Sequence, residues 1–146
     1  MKKRLLIAAA LAAAASAPAL ARDTEYNLPF SEVLAMPEAQ GKLDGSVKFY
    51  LQGQNTPKVL EKKGDDVSNK KTNGVGKDDA FGCKLAALSA LIALQEKAKR
   101  LGANAVVDIF SYYKKDVFSS PTNYECHAGA VIIGVTLKGT YAKVEE

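Results

Sequence analysis

Three side chains of this chain could form a covalent bridge, exchange electrons or bind a metal: Cys83, Cys126 and His127. They are its two cysteines and its single histidine. No C-x-x-C pair occurs, although redox proteins and many zinc sites use that spacing. A disulfide between the two cysteines is therefore one interpretation. A metal-binding or thiol-redox site made of all three residues is the alternative.

The amino-terminal segment helps to decide between the disulfide and the metal or redox site, because it predicts the cellular compartment of the protein. Residues 1–21 have the pattern of a cleavable signal peptide, with a basic start over 2–4, an apolar run over 5–15 and an A-x-A sequence over 19–21. The apolar run is shorter than the ~20 residues of a transmembrane helix. We expect cleavage after Ala21 and a periplasmic protein without a membrane anchor. Because disulfides persist in oxidising compartments, the structural bridge is favoured.

The charge of the chain argues against a nucleic-acid partner. Three of the 20 basic residues lie within residues 2–4 and would leave with the signal peptide, whereas all 16 acidic residues would remain. The net charge then falls from +4 to near +1, while nucleic-acid-binding domains carry a clear basic excess. Lys70, Lys71 and Lys77 lie near glycines, but no G-x-x-x-x-G-K-[ST] sequence occurs, so we expect no bound nucleotide.

The sequence contains no recognisable catalytic site. A serine or cysteine nucleophile needs a base within reach, and His127 adjoins a cysteine that we expect in a disulfide. The neighbouring carboxylates Asp65 and Asp66, and likewise Asp78 and Asp79, lie in polar stretches that are typical of solvated loops. We predict a protein that is not an enzyme and that holds no cofactor and no metal.

A cluster of aromatic and basic residues predicts a recognition surface instead. Aromatic side chains on a loop with a rigid base are a common contact surface. The residues of this cluster are Tyr112, Tyr113, Lys114, Lys115, Phe118 and Tyr124. The alternative is that the rings cover the end of a sheet and that the lysines are only solvated.

The clearest secondary-structure signal is a helix from about Asp79 to Leu101. Its apolar residues recur at spacings of three and four, Asp78 or Asp79 can cap its start, and Gly102 can end it. Alternating apolar residues predict strands over 45–52, 104–113 and 126–138, with an exposed loop over 114–124.

The remaining segments are less regular. Residues 58–72 are interpreted as two exposed edge strands joined by a turn at Gly64 and Asp65. Residues 22–44 are interpreted as an amino-terminal arm, with low order up to Leu28 and a short helix before Pro37.

Together these elements predict an α+β domain over residues 45–146, in which a small antiparallel sheet carries one long amphipathic helix on one face. The helix and the strand over 104–113 have about the same length, ~33 Å. The chain therefore returns to the start of the helix, and the last strand begins with Cys126 close to Cys83. This geometry allows the disulfide to close without forcing the backbone.

Residues 86–107 have the sequence A-A-L-S-A-L-I-A-L-Q-E-K-A-K-R-L-G-A-N-A-V-V, and a tyrosine-containing strand and a glycine-containing strand follow them. In these features the chain resembles the YbjQ-type family, which is named for heavy-metal binding. With Y-E-C-H-A-G-A-V at 124–131, the chain is still more similar to short exported proteobacterial proteins that are named as the ATPase subunit of excinuclease ABC. It is more distantly similar to the periplasmic domain of the lipoprotein RcsF. The resemblance covers residues 45–141 and implies a related helix-and-sheet fold that assembles through its sheet.

Neither name carries an activity over to this chain. An excision ATPase needs a P-loop and zinc-binding cysteine clusters, and a closed zinc site needs four ligands. The sequence contains no P-loop, no zinc-binding cysteine cluster and no four-ligand zinc site. We therefore predict an exported, non-catalytic binding or envelope-interaction module. Its partner is expected to be an envelope protein or a second copy that pairs through an unprotected edge strand.

Overall fold

A computed structural model describes residues 22–146 of the chain. The predicted signal peptide, residues 1–21, lies outside the described residues. Within them, no helix is long and apolar enough to cross a membrane. The elements are β1 (Thr24–Pro29), α1 (Phe30–Ala35), β2 (Lys48–Leu51), β3 (Val59–Asn73), α2 (Asp79–Arg100), β4 (Ala105–Ser111), β5 (Asn123–Ala128) and β6 (Ile132–Val144), with short 3₁₀ turns at Pro37–Ala39 and Tyr113–Lys115.

Helix α2 confirms the predicted helix and both of its end signals. The Asp78 carboxylate accepts a hydrogen bond from the backbone N–H of Phe81 at 3.3 Å, which satisfies a free donor of the first turn. Gly102 follows the last turn in the left-handed conformation, with φ +72°. The apolar side of α2 packs against the sheet. Its buried residues include Cys83, Ala86, Ala87, Leu91, Leu94 and Ala98.

The sheet is mixed, and β6 lies at its centre. The strand order is β1-β5-β6-β4-β2, and β3 pairs with β6 from Val59 to Asn73. The α+β class, the long helix on one face and the disulfide are confirmed. The sheet is not wholly antiparallel, however, because β2 and β4 pair in parallel. Parallel neighbours need a long crossover, which β3 and α2 supply here.

The amino-terminal arm is more ordered than predicted. The prediction of low order up to Leu28 is wrong, because β1 pairs with β5 from Thr24 to Pro29. Tyr26 and Leu28 pack against the core, whereas Asn27 between them is exposed. This alternation makes the arm the edge strand of the sheet. The short helix predicted before Pro37 is confirmed as α1.

Two strand predictions have wrong boundaries. Residues 59–72 belong to one strand, β3. Its pairing with β6 shifts between Val59 and Glu61 and again between Lys62 and Asp65, where Gly64 adopts φ +103°, but the strand continues through both places. A bulge therefore replaces the predicted turn. The strand predicted over 126–138 is interrupted after Ala128, so that Cys126 lies on β5 and not at the start of the last strand.

The two faces of the sheet differ in what covers them. Helices α1 and α2 pack on one face, and the main core lies between them and the sheet. On the opposite face a small apolar cluster forms at one end, from Ala105, Val107, Ala142 and Val144 with Tyr50 and Val59. We call the region of this face where β3, β5 and β6 meet the open face, because no α-helix within residues 22–146 packs on it.

Cys83 and Cys126 form the predicted disulfide, which joins the start of α2 to β5. Their Cα atoms lie 5.8 Å apart, and both side chains are fully buried. Pairing between β5 and β6 extends over only two residue pairs, His127 with Gly134 and Ala128 with Ile133. The bridge therefore adds a covalent link where strand pairing is shortest.

Replacing both cysteines, by Cys83→Ala with Cys126→Ala, should lower the free energy of unfolding by about 4 kcal/mol, because the bridge spans a sequence separation of 43 residues. Alanine avoids burying a hydroxyl in the core. Urea unfolding followed by circular dichroism measures the loss. Reduced wild type is the matched control and should unfold at the same urea concentration as the double variant. A variant as stable as oxidised wild type would contradict the bracing role.

Candidate functional site

A cavity of about 430 Å³ lies on the open face. Its floor crosses three strands, because His127 on β5 pairs with Gly134 on β6, and Gly134 pairs with Lys71 on β3. A Cβ at Gly134 would lie 3.6 Å from Lys71 Cγ and 3.7 Å from Tyr113 Cε2. The glycine thus leaves space for one methyl group in the floor. The β5–β6 turn at residues 129–132 forms one wall.

Tyr113 stacks on His127 within this cavity. The two ring centroids are 3.7 Å apart and the ring planes differ by 11°. The 3₁₀ turn that carries Tyr113 is constrained, because Lys114 and Lys115 adopt left-handed conformations with φ 50° and 67°. Such a conformation costs a non-glycine residue about 1–2 kcal/mol, and residues of this kind cluster at functional sites. Lys114 Nζ lies 5.5 Å from the centroid of the Tyr113 ring, within cation–π range.

The His127 ring lies between two carboxylates. Its Nδ1 is 2.9 Å from Asp23 Oδ1, and its Nε2 contacts the Glu125 carboxylate. Glu125 is only 7% exposed, and its backbone N–H donates to Ser111 Oγ at 2.8 Å. Burial alone would lower the pKa of His127, but the hydrogen bonds with Glu125 and Asp23 outweigh it and raise that pKa above its ordinary value. The site therefore favours the imidazolium form.

A second charged group links the edge of the sheet to α2. The Arg22 guanidinium contacts the Asp79 carboxylate in the first turn of α2 and donates to the Gly129 carbonyl at 3.3 Å. The Tyr26 hydroxyl donates to the same carboxylate at 2.7 Å. Hydrogen bonds from Tyr26 and Arg22 hold the pKa of Asp79 below its usual range. These contacts fix Arg22 along the cavity wall.

The predicted recognition surface is divided among different environments. Tyr113 and Lys114 line the cavity. Tyr112 is half-buried, and Lys138 Nζ lies 4.9 Å from the centroid of its ring. Lys115 is exposed, and Phe118 is half-buried in a bridge to the end of β4. The structure therefore brings two of the six predicted residues into the cavity.

For Tyr124, the prediction of a surface role is wrong. Successive side chains of a strand point to opposite faces, so Tyr124 faces the core together with Cys126 and is fully buried. Burial raises the pKa of its hydroxyl well above the ordinary value. This hydroxyl makes no hydrogen bond to any residue within 22–146.

Cys83, Cys126 and His127 do not meet as a metal or redox set. The two sulfurs are bonded to each other, and Cys126 and His127 point to opposite faces of β5. A different set could hold a divalent cation, because ligand atoms of Glu25, Glu125 and His127 lie within 4.8 Å of one another. A cation there would have to replace the hydrogen bond between Glu125 and His127. The expectation that the protein holds no metal stays a prediction.

The chain matches no protein-family model and no curated protein. The resemblances to the YbjQ-type family, to the excinuclease-named proteins and to RcsF therefore stay expectations. The cavity is interpreted from its own geometry.

Most of the cavity cannot be found from the sequence. Asp23 and His127 are separated by 104 positions, and no local pattern links them. Gly134 opens the floor only through its register with β3 and β5. Glu125 is the residue that a sequence signal does identify, because residues two apart on a strand share a face and the string Y-E-C-H places Glu125 beside His127.

The charge of His127 should stabilise the fold in a defined pH range. Its pKa in the folded chain lies above the unfolded value of about 6.5. The stabilisation by the charged ring is therefore complete at pH values below the pKa of His127 in the unfolded chain. It is lost as the pH rises through the pKa of His127 in the folded chain. We expect the stability difference between wild type and His127→Gln, whose amide does not titrate, to be largest near pH ~6 and to shrink above the folded pKa. Urea unfolding of both proteins across a pH series measures this difference.

Proton NMR measures the pKa of His127 independently, because the chain contains a single histidine and its imidazole signal can be assigned directly. The imidazole signal should titrate with a midpoint above about 6.5. A midpoint at or below that value would show that the two carboxylates do not hold the imidazolium, and the pH dependence of stability would then lose its cause.

Proposed function

We propose that this chain is an exported, non-catalytic binding module of the periplasm and that the cavity on the open face is its binding site. The observation that carries the proposal is a cavity of about 430 Å³ with charged, aromatic and apolar walls, on a sheet face that no α-helix of residues 22–146 covers. Small-molecule sites commonly have volumes of about 300–1,000 Å³ and a few convergent polar groups. The predicted signal peptide and the disulfide support export.

The cavity is held in shape before a ligand arrives, which supports a binding role. The disulfide fixes β5 to α2, and Arg22 joins the neighbouring wall to Asp79. Tyr113 is fixed by its stacking on His127. A preorganised site loses less conformational entropy on binding than a mobile one.

The state of the reactive groups supports a role without catalysis. Neither cysteine is a free thiol. Both ring nitrogens of His127 already contact carboxylates, so neither is free to take a proton from a substrate as a general base would. The metal-binding or thiol-redox alternative with Cys83, Cys126 and His127 has less support for the same reasons.

Binding at the cavity has more support than self-association through the long edge strand. Strand β3 has 15 residues and, among the strands of residues 22–146, pairs with β6 alone. Its regular edge is broken by the bulge at Gly64, and it carries exposed charges at Lys62, Asp65, Lys70 and Lys71. Bulges and charges on an edge strand discourage pairing with another sheet. We therefore place the partner, an envelope component, at the cavity.

Site-specific photo-crosslinking tests the location. A photoreactive amino acid at Ile132, on the rim, should form a discrete adduct in the native periplasm. The same group at Leu34 on α1 should not, although these two positions are 54% and 41% exposed. Gly134→Val fills the floor and should remove the Ile132 adduct. An adduct that forms equally at Leu34, or that survives in Gly134→Val, would contradict the cavity as the binding site.

The cavity-filling variant needs a folding control. Circular dichroism and urea unfolding show whether Gly134→Val retains the fold. If it does not, Gly134→Ala replaces it, because a Cβ at this position meets its nearest neighbours at ordinary contact distances of 3.6 to 3.9 Å.

A further inference from the structure

Two cations of the cavity have no carboxylate partner in the described chain. Arg22 and His127 also line the cavity, but each is paired with carboxylates. Lys71 and Lys114 make no ion pair within residues 22–146. Lys71 packs beside the floor at Gly134, and Lys114 extends over the Tyr113 ring. The positive charge of these two lysines is therefore available to a ligand.

An apolar rim lies beside these cations. Val131 and Ile132, in the β5–β6 turn, are 57% and 54% exposed. Val75 is 61% exposed and belongs to the neighbouring loop, where the Gly74 N–H donates to the Val131 carbonyl at 2.7 Å. Exposed apolar side chains that lie together next to a cavity mark a binding surface. The cavity thus combines free cationic groups with an apolar edge.

We propose that the cavity binds an amphiphilic anion, which is a carboxylate or phosphate head joined to an apolar body. The head lies between Lys71 and Lys114, and the body packs on Val131 and Ile132. This inference rests on the proposed function and names the ligand class of the same cavity. The unpaired lysines favour an anionic head over a neutral or cationic one. The rim favours an apolar body over a fully hydrated inorganic anion.

Four small probes separate the contributions of the head and the body: octanoate, octylammonium, octanol and inorganic phosphate. Heteronuclear NMR of the oxidised full mature chain follows the amide signals of Gly134 and Ile132. Octanoate should shift both signals and bind at least about tenfold more tightly than each other probe. Equal binding of octylammonium or octanol would overturn the anionic head. Equal binding of phosphate would overturn the apolar body.

The chain offers a matched control for the charge. Lys71→Gln with Lys114→Gln removes the two cavity cations that make no ion pair within residues 22–146, whereas Lys70→Gln with Lys115→Gln removes their sequence neighbours, which do not line the cavity. Both double variants change the net charge equally. The first should weaken octanoate binding about tenfold and the second less than about twofold. If both double variants weaken octanoate binding equally, octanoate is attracted only by the overall charge of the protein, and the proposal is overturned.

A sedimentation experiment with vesicles distinguishes the two sources of such an anion. Co-sedimentation with phosphatidylglycerol vesicles, but not with phosphatidylcholine vesicles, would assign the head to an anionic phospholipid. Octanoate binding without co-sedimentation would assign a free amphiphile. Co-sedimentation with both vesicles that persists in the Lys71→Gln, Lys114→Gln variant would overturn the proposal.

Failure of the ligand class can be told apart from failure of the proposed function. If the Ile132 adduct forms and Gly134→Val removes it, but octanoate does not bind, the cavity remains a binding site and only the amphiphilic anion is overturned. If neither the adduct nor octanoate binding is observed, both proposals are overturned.

Discussion

The disulfide between Cys83 and Cys126 is the constraint on which the rest of the site depends. Strand β5 shares only two residue pairs with β6, and its other neighbour, β1, is itself an edge strand. The bridge joins β5 directly to the start of α2, which is buried against the sheet. Because β5 carries His127, which lines the cavity, and Glu125, which contacts the His127 ring, a fixed β5 also gives a fixed cavity floor.

The same bridge specifies which side chains reach the cavity. Tyr124, Cys126 and Ala128 point into the core, whereas Glu125 and His127 point to the open face. A slip of one residue would exchange the two sets and would bury a carboxylate and an imidazole in the core. The disulfide forms only when Cys126 faces α2. One covalent bond thus determines both the position of the strand and the composition of the site.

The features that can be predicted from the sequence are those with local causes. Helix α2 has a regular period, a capping Asp78 and a terminating Gly102, and the disulfide is predicted from two cysteines together with the expected export to an oxidising compartment. Strand β1 gives only a weak signal, because its few apolar residues alternate with polar ones over only six positions. The glycine at position 64 does not distinguish a turn from a bulge in the sequence, because both structures accept a glycine with positive φ. The parallel pairing of β2 with β4 and the contact of Asp23 with His127 depend on distant segments, which local patterns do not report.

The near-neutral net charge of residues 22–146 does not reveal that Lys71 and Lys114 in the cavity make no ion pair within these residues, whereas other cations of the chain pair with carboxylates. Three such pairs are Asp44 with Lys99, Asp66 with Lys97, and Asp79 with Arg22. His127 lies between Asp23 and Glu125 and neutralises them in part when its ring is protonated. Without that proton, two carboxylates would lie uncompensated beside the lysines, and the potential at the cavity would become less positive. Protonation of His127 and binding of the proposed anion are therefore linked through the same charges, so that each favours the other.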